Sequence, residues 1–238
     1  MNWKVINANC LDVMKTLSKE GFFNKHKAVI VTDPPFNIGY HYNTYTDNMD
    51  ESEYYEMLGD VISNLPCVII HYPESLYKLS AKIGRFPNKV VSWVYNSNTA
   101  KQHRDIAFFD VEPDFKKVRQ PYKNPTDKRI AERIANGAKG GRLYDWWEIN
   151  QVKNVSDLKT KHPCQMPQEV MDRIIKLLPK DIVVIDTFCG SGTTGIACAK
   201  ENVDFIGIEI DKEYFEIASE RIRNEASQFK LSDFGLKP

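Results

Sequence analysis

Hydrophobic and polar positions along this chain alternate between two periods. Short runs of β-branched and apolar residues give way to stretches whose apolar residues recur every three or four positions. The first kind predicts strands at Trp3 to Ile6, Ala28 to Thr32, Cys67 to Ile70, Val90 to Tyr95, Val183 to Asp186 and Asp204 to Glu209. The second kind predicts helices. One is capped by Asn9 and carries Leu11, Val13, Met14 and Leu17. Another, Glu51 to Ile62, opens on a capping box of Asp50 and Glu53, and a third spans Glu74 to Ile83. Further on, Gln168 to Leu178 follows Pro167, Thr193 to Lys200 follows a glycine turn, and a last helix is capped by Asp211. Strand and helix in alternation predict a doubly wound α/β fold around a mostly parallel sheet.

The alternation fails between Ser97 and Lys161, where Pro113, Pro121, Pro125, Gly137, Gly140 and Gly141 punctuate a basic stretch. Residues 101–161 hold 14 basic against 9 acidic side chains, a net of +5, and the rest of the chain carries −5. This reads as a small basic insertion on the sheet, giving three parts: 1–96, an inserted 97–161, and 162–238. The glycine turn stands late, with 29 residues after Glu209, too few for the rest of a sheet. The missing strands lie upstream, so the expected strand order is circularly rearranged from that of an ordinary dinucleotide fold.

Bulk composition adds limits. The 238 residues suit one domain, and 32 basic and 32 acidic side chains cancel, so overall charge points to no partner. No apolar run approaches the roughly 20 residues of a membrane span, and the N-terminus lacks a secretory pattern. Five cysteines without a C-x-x-C pair fit a reducing, cytoplasmic setting, and five scattered histidines predict no metal site.

The chemistry starts at Asp186-Thr187-Phe188-Cys189-Gly190-Ser191-Gly192-Thr193, where a buried strand ends in an acid and a glycine turn leads into a helix. Such a turn brings backbone close to a ligand. Glu209, at the tip of the next strand, suits the hydroxyls of a ribose. Gly190 to Gly195 matches the G-x-G-x-x-G dinucleotide fingerprint, with an acid 17 residues after Gly192. Asp186 argues for a different ligand, because a carboxylate there repels pyrophosphate and favours the ammonium and sulfonium of S-adenosylmethionine. Both readings stand at this point.

A second constellation, Asp33-Pro34-Pro35-Phe36, also ends a strand. Two prolines remove two N–H donors and leave a stiff turn of carbonyl acceptors beside an acid. Acceptors without donors suit an NH₂ group, and Phe36 offers a flat face for a planar ring. An aromatic amine is a poor nucleophile, and acceptors that bind both of its hydrogens release its lone pair for attack on a sulfonium methyl.

Together these segments resemble the DNA amino-methyltransferases of the β group. D-P-P-F precedes D-T-F-C-G-S-G, His162-Pro163-Cys164-Gln165-Met166-Pro167 is similar to the family's HPxQxP segment, and Gly140 to Trp147 to its Trp-containing stretch. Asn9-Cys10-Leu11-Asp12 stands where the family usually has Gly-Asp-Cys. The resemblance implies methyl transfer from S-adenosylmethionine to an exocyclic amine of a flipped base in double-stranded DNA, with adenine favoured over cytosine by the Asp before Pro-Pro. By it, Asp33 and the carbonyl of Pro34 hold the amine in the stiff Pro34-Pro35 turn, and Phe36 stacks the base. It further implies that Asn9, Cys10, Asp33, His162, Gln165, Asp186 and Phe188 border the cofactor, with Gly190, Ser191, Gly192, Thr193, Glu209 and Ile210. In the insertion, Arg104, Lys116, Lys117, Arg119, Lys123, Lys128, Arg129, Lys139 and Arg142 are the expected DNA contacts. So small an insertion points to a short recognition sequence, a homodimer or a partner, and a restriction endonuclease is the partner such enzymes imply. Competing readings are a cytosine enzyme, a methyltransferase of RNA or protein side chains, a nucleotide-dependent oxidoreductase, and a non-catalytic nucleic-acid-binding relative.

Overall fold

Eighteen elements follow one another along residues 1–152 and 160–233, the part of the chain that this computed structural model describes. In order they are β1 (Trp3–Asn7), α1 (Cys10–Lys19), α2 (Phe22–Lys25), β2 (Ala28–Thr32), α3 (Glu51–Ile62), β3 (Cys67–His71), α4 (Pro73–Ile83), β4 (Lys89–Val94) and β5 (His103–Phe109). There follow β6 (Arg119–Gln120), α5 (Lys128–Ala135), β7 (Gly141–Arg142), β8 (Trp146–Glu148), α6 (Gln168–Leu177), β9 (Val183–Asp186), α7 (Thr193–Glu201), β10 (Asp204–Glu209) and α8 (Lys212–Asp233).

Eight strands form one sheet in the order β1-β10-β9-β2-β3-β5-β4-β8. The run from β1 to β3 is parallel throughout. The glycine-turn strand β9 lies beside β2, so the two halves of the chain meet at the centre of the sheet. Ligands bind at the carboxyl edge of such sheets where the winding reverses. That edge here carries Asp33, Asp186 and Glu209.

Side chains alternate across the sheet, as the strand period requires. Val29 and Val31 pack with Val170 and Ile174 of α6 and Ala197 of α7. Ala28 and Ile30 turn the other way, onto Met14 of α1 and Tyr54 and Leu58 of α3. Each buried Val, Ile, Leu or Met among them stabilises the fold by about 1.5–3 kcal/mol relative to exposure. Asn9 caps α1 through Leu11 N at 2.9 Å, and Asp50 caps α3 through Ser52 N at 2.8 Å.

The sheet claims more of the chain than the pattern predicts. β5 and β8, inside the expected insertion, belong to it, and only β6, α5 and β7 lie between them. β5 escapes sequence reading because it opens on His103-Arg104-Asp105 and its apolar run is four residues, Ile106–Phe109. It is antiparallel to β3 and β4, pairing His71 with Asp105 and Trp93 with Arg104. Its first residues therefore lie at the carboxyl edge of the parallel strands. Trp147 on β8 is fully buried, whereas Trp146 is 41% exposed.

Candidate active site

Three carboxylates gather at the tips of adjacent strands. Asp186 is buried and fully engaged: Oδ1 accepts from Thr32 Oγ1 at 2.9 Å and Phe188 N at 3.2 Å, and Oδ2 from Thr194 Oγ1 at 2.6 Å. Burial lifts its pKa to about 6 against those donors. Glu209 accepts from Gly190 N at 2.7 Å through Oε2 and from Asp211 N at 2.8 Å through Oε1. Its pKa is also raised, chiefly by burial.

These bonds decide between the two readings of the glycine turn. A dinucleotide pyrophosphate needs the N–H groups of the turn. Here Gly190 N is spent on Glu209, and Gly192 N donates to Cys189 O at 2.9 Å. A phosphate would also meet the field of Asp33, Asp186 and Glu209. The third glycine of the fingerprint packs helices together: a Cβ on Gly195 would stand 2.3 Å from Ile222 Cδ1. The turn fits a cationic ligand.

Asp33 follows β2 at the same edge. Its Oδ1 is buried without a hydrogen-bond partner, and Oδ2 lies 3.9 Å from Arg104 Nη1. Burial raises the pKa of Asp33 to about 7, with Arg104 opposing and Asp186 adding to the rise. The carbonyl of Pro35 accepts from Tyr54 Oη at 2.6 Å, which leaves the carbonyl of Pro34 as the turn's acceptor beside Asp33. The Phe36 ring packs against His71 at 4.5 Å and Tyr72 at 5.0 Å between centroids, with the guanidinium of Arg104 over it at 4.5 Å.

His71 and Tyr54 support this turn and were not singled out from sequence. His71 Nδ1 accepts from Tyr72 N at 2.8 Å, so the proton sits on Nε2, 2.7 Å from Tyr54 Oη. Burial lowers the pKa of His71 to about 3 and keeps it neutral. A relay runs from His71 through Tyr54 to Pro35. In sequence, His71 is only the polar end of an apolar run, and Tyr54 one aromatic on a helix face.

Asp47 was missed as well. It is buried, with Oδ1 accepting from Asn37 N at 2.8 Å and Oδ2 from Ile38 N at 3.1 Å and Tyr40 N at 3.0 Å. Asn37 and Met49 exchange two bonds, Nδ2 to the carbonyl at 2.9 Å and N to Oδ1 at 2.7 Å. The tyrosine-bearing loop is thus folded around one carboxylate. Its only sequence signal was an Asp among turn residues.

The cavity bounded by these parts has a volume of about 570 Å³. Asn9, Cys10, Asp33, Phe36, Glu209 and Ile210 line it, as do His162, Gln165, Phe188 and Gly190. The His162 ring packs edge-on against Tyr214 at 4.6 Å and touches the site where Gly190 would carry a Cβ, 3.0 Å from Nε2. Gln165 Oε1 accepts from Thr160 N at 2.7 Å. Asp186, Ser191, Gly192 and Thr193 are buried beneath the residues that line the cavity, where their polar groups and backbone serve the turn and the packing of α7. The side-chain oxygen of Asn9 is already used as the helix cap.

The expected DNA contacts divide in two. Arg104 is enclosed on β5, its side chain 13% exposed, and stands in the cavity wall rather than on the outer surface. Lys116, Lys117, Arg119, Lys123, Lys128, Arg129, Lys139 and Arg142 are exposed. Lys117 Nζ donates to Leu178 O at 2.5 Å, and Lys123 Nζ lies 4.7 Å over the ring of Trp146.

Comparison with known proteins agrees with this geometry. Residues 28–220 match the N6/N4 methyltransferase family model, described as DNA methylase. The chain is 28% identical over 261 aligned positions to the type II methyltransferase M.HpaI of Haemophilus parainfluenzae, covering 100% of this chain and 79% of that protein. It is 27% identical over 254 positions to the DNA adenine methyltransferase YhdJ of Escherichia coli K12, covering 92% of this chain and 82% of that one. The solved M1.HpyAVI–SAM complex shares the fold with a TM-score of 0.58 at 22% identity, over 92% of this chain and 99% of that chain. With both strand-tip motifs inside the matched residues, the chain belongs to the N6/N4 family of DNA methylases, which take their methyl group from S-adenosylmethionine.

Proposed function

We propose that this protein methylates the N6 amine of adenine in duplex DNA, with the target base rotated out of the helix. The observation that carries the reading is the buried, unpartnered Oδ1 of Asp33 at the tip of β2. It opens on the same cavity as Glu209 and His162. An acceptor without a hydrogen-bonded donor is the complement of an amine, and a buried acceptor left unpaired costs about 1–3 kcal/mol until its ligand arrives. Flipping costs a few kcal/mol of unstacking, which such a pocket offsets.

The residues fit the cofactor. Glu209 keeps lone pairs for ribose hydroxyls beyond its two backbone donors, and His162 and Gln165 border the side expected to take the methionine end. S-adenosylmethionine supplies, when bound, a methyl group activated by a sulfonium. Asp33 and the Pro34 carbonyl bind the two amine hydrogens and aim the nitrogen lone pair away from the turn. The negative field of Asp33, Asp186 and Glu209 favours positive charge at the site throughout. With a pKa near 7, Asp33 is matched to take the proton that the amine sheds. Most of the acceleration comes from positioning, for which effective molarities reach about 10⁵ M or more.

Adenine rather than cytosine is supported by the Asp of D-P-P-F and by the relative YhdJ, a DNA adenine methyltransferase. The test is radiolabelled S-adenosylmethionine with adenine-containing and adenine-free duplexes, followed by nucleoside analysis. N6-methyl-2′-deoxyadenosine is expected. N4-methylcytosine as the sole product would move the substrate to cytosine.

A further inference from the structure

A charged side chain set into a central strand needs a reason, because burying it is costly unless it is paired. Arg104 is such a residue. Its guanidinium carbon lies 4.5 Å from the Phe36 centroid, 5.3 Å from Trp93, 5.8 Å from Tyr95 and 5.9 Å from Tyr72. Four rings hold it in place, each contributing cation–π attraction that strengthens away from water. Its counter-charge is Asp33 at 3.9 Å. That separation neutralises charge but is too long for a hydrogen bond. Both partners accordingly keep unused capacity: Oδ1 of Asp33 and Nε of Arg104 are buried without hydrogen-bond partners.

We infer that Arg104 is part of the base-binding site, its guanidinium and the Asp33 carboxylate together reading an N=C–NH₂ edge of the target base. This rests on the reading above, that the exocyclic amine is held by Asp33. The carboxylate accepts from the amine, and the guanidinium donates to the ring nitrogen bonded to the same carbon. Adenine presents that pair as N6 and N1, and cytosine as N4 and N3. At the equivalent Watson–Crick positions guanine and thymine present a ring N–H beside a carbonyl, which sets donor against donor and acceptor against acceptor. A base entering between the two groups replaces a 3.9 Å gap with two hydrogen bonds. Arg104 therefore rejects lactam edges, and the Phe36 ring beside it supplies the stacking surface.

Single-turnover and steady-state methylation of duplexes carrying adenine, 1-deazaadenine or 7-deazaadenine at the target tests this in wild type and Arg104→Met. Wild type should prefer adenine to 1-deazaadenine by about tenfold or more in kcat/KM, the worth of one hydrogen bond to a charged donor. Arg104→Met should lose that preference, while 7-deazaadenine stays close to adenine in both. Equal wild-type rates on adenine and 1-deazaadenine would overturn the inference, as would a preference of the same size in Arg104→Met. A shift of the loss to 7-deazaadenine would overturn the assignment of the edge. Melting and S-adenosylmethionine calorimetry check that the variant folds. If it does not, the wild-type comparison still decides, with Arg104→Lys as the second variant. Methylation of adenine by wild type is the separate control on the proposed function. Should the product be methylcytosine, 3-deazacytosine replaces 1-deazaadenine with the same outcomes.

Discussion

The hydroxyl of Tyr54 lies 2.6 Å from the carbonyl oxygen of Pro35, and this bond fixes the turn that carries Asp33. It joins α3 to the end of β2 across the loop that connects them. His71 completes it from β3 by donating to the same hydroxyl at 2.7 Å.

Tyr54→Phe should therefore slow methyl transfer more than it weakens binding. It strands the Pro35 carbonyl and His71 Nε2, a loss of about 1–3 kcal/mol. We expect kcat to fall about tenfold with the cofactor Kd unchanged by calorimetry. An unaltered kcat with a lower Tm would make the relay structural only.

Asp33→Ala should abolish nearly all methyl transfer while leaving cofactor affinity near wild type. One acceptor aimed at a reacting group is worth about 10²–10³ in rate. Asp33→Asn keeps a carbonyl acceptor and loses the charge, so its residual rate measures how much the charge matters. Wild-type rate in Asp33→Ala would reduce D-P-P-F to a stiff turn.

The pH dependence of stability follows from the same residue. Asp33 rises from 3.8 to about 7 on folding, and Asp186 from 3.8 to about 6. Between those limits the native state holds protons that the unfolded chain has released, so stability falls as pH rises. The charged or titratable groups facing Asp33 are Arg104 of β5, Asp186 of β9, Tyr54 of α3, Tyr42, Tyr95 and Cys164. Asp33→Asn should melt higher than wild type at pH 8, with the gain vanishing near pH 4. Parallel Tm-against-pH curves would contradict this.

Asp186→Ala should act through the fold of the glycine turn. Its carboxylate holds Thr32, Thr194 and Phe188 N, so removal leaves buried donors unpaired. About 1–3 kcal/mol of stability should be lost, read as a fall in Tm. Weak cofactor binding in a variant of unchanged Tm would instead restore a direct contact.

The exposed basic residues make a salt-dependence test. Each neutralised phosphate contributes a slope near −0.9 in log K against log salt. Charge reversal at Lys116, Arg119 and Arg142 together should flatten the slope by up to about three units. Arg119 and Arg142 face each other across β6 and β7, so they act as one patch. An unchanged slope would remove that patch from the DNA path.

What the sequence determined is local and periodic. The apolar runs of β2, β3 and β9 and the caps Asn9 and Asp50 each declare themselves within a few residues. So do D-P-P-F and the glycine turn, because backbone stiffness and freedom are properties of proline and glycine themselves. Only the tertiary structure decided which of these groups meet. The direction of β5 brings Arg104 to the carboxyl edge, and a strand's direction is set by its partners β3 and β4 rather than by its own residues. The partners of Asp186 were hidden for the same reason: Thr32 stands 154 residues from it in sequence, yet is its hydrogen-bond donor across adjacent strands. Asp47 and the relay from His71 through Tyr54 to Pro35 stayed hidden because a buried polar side chain reveals its partner only once the chain has folded around it.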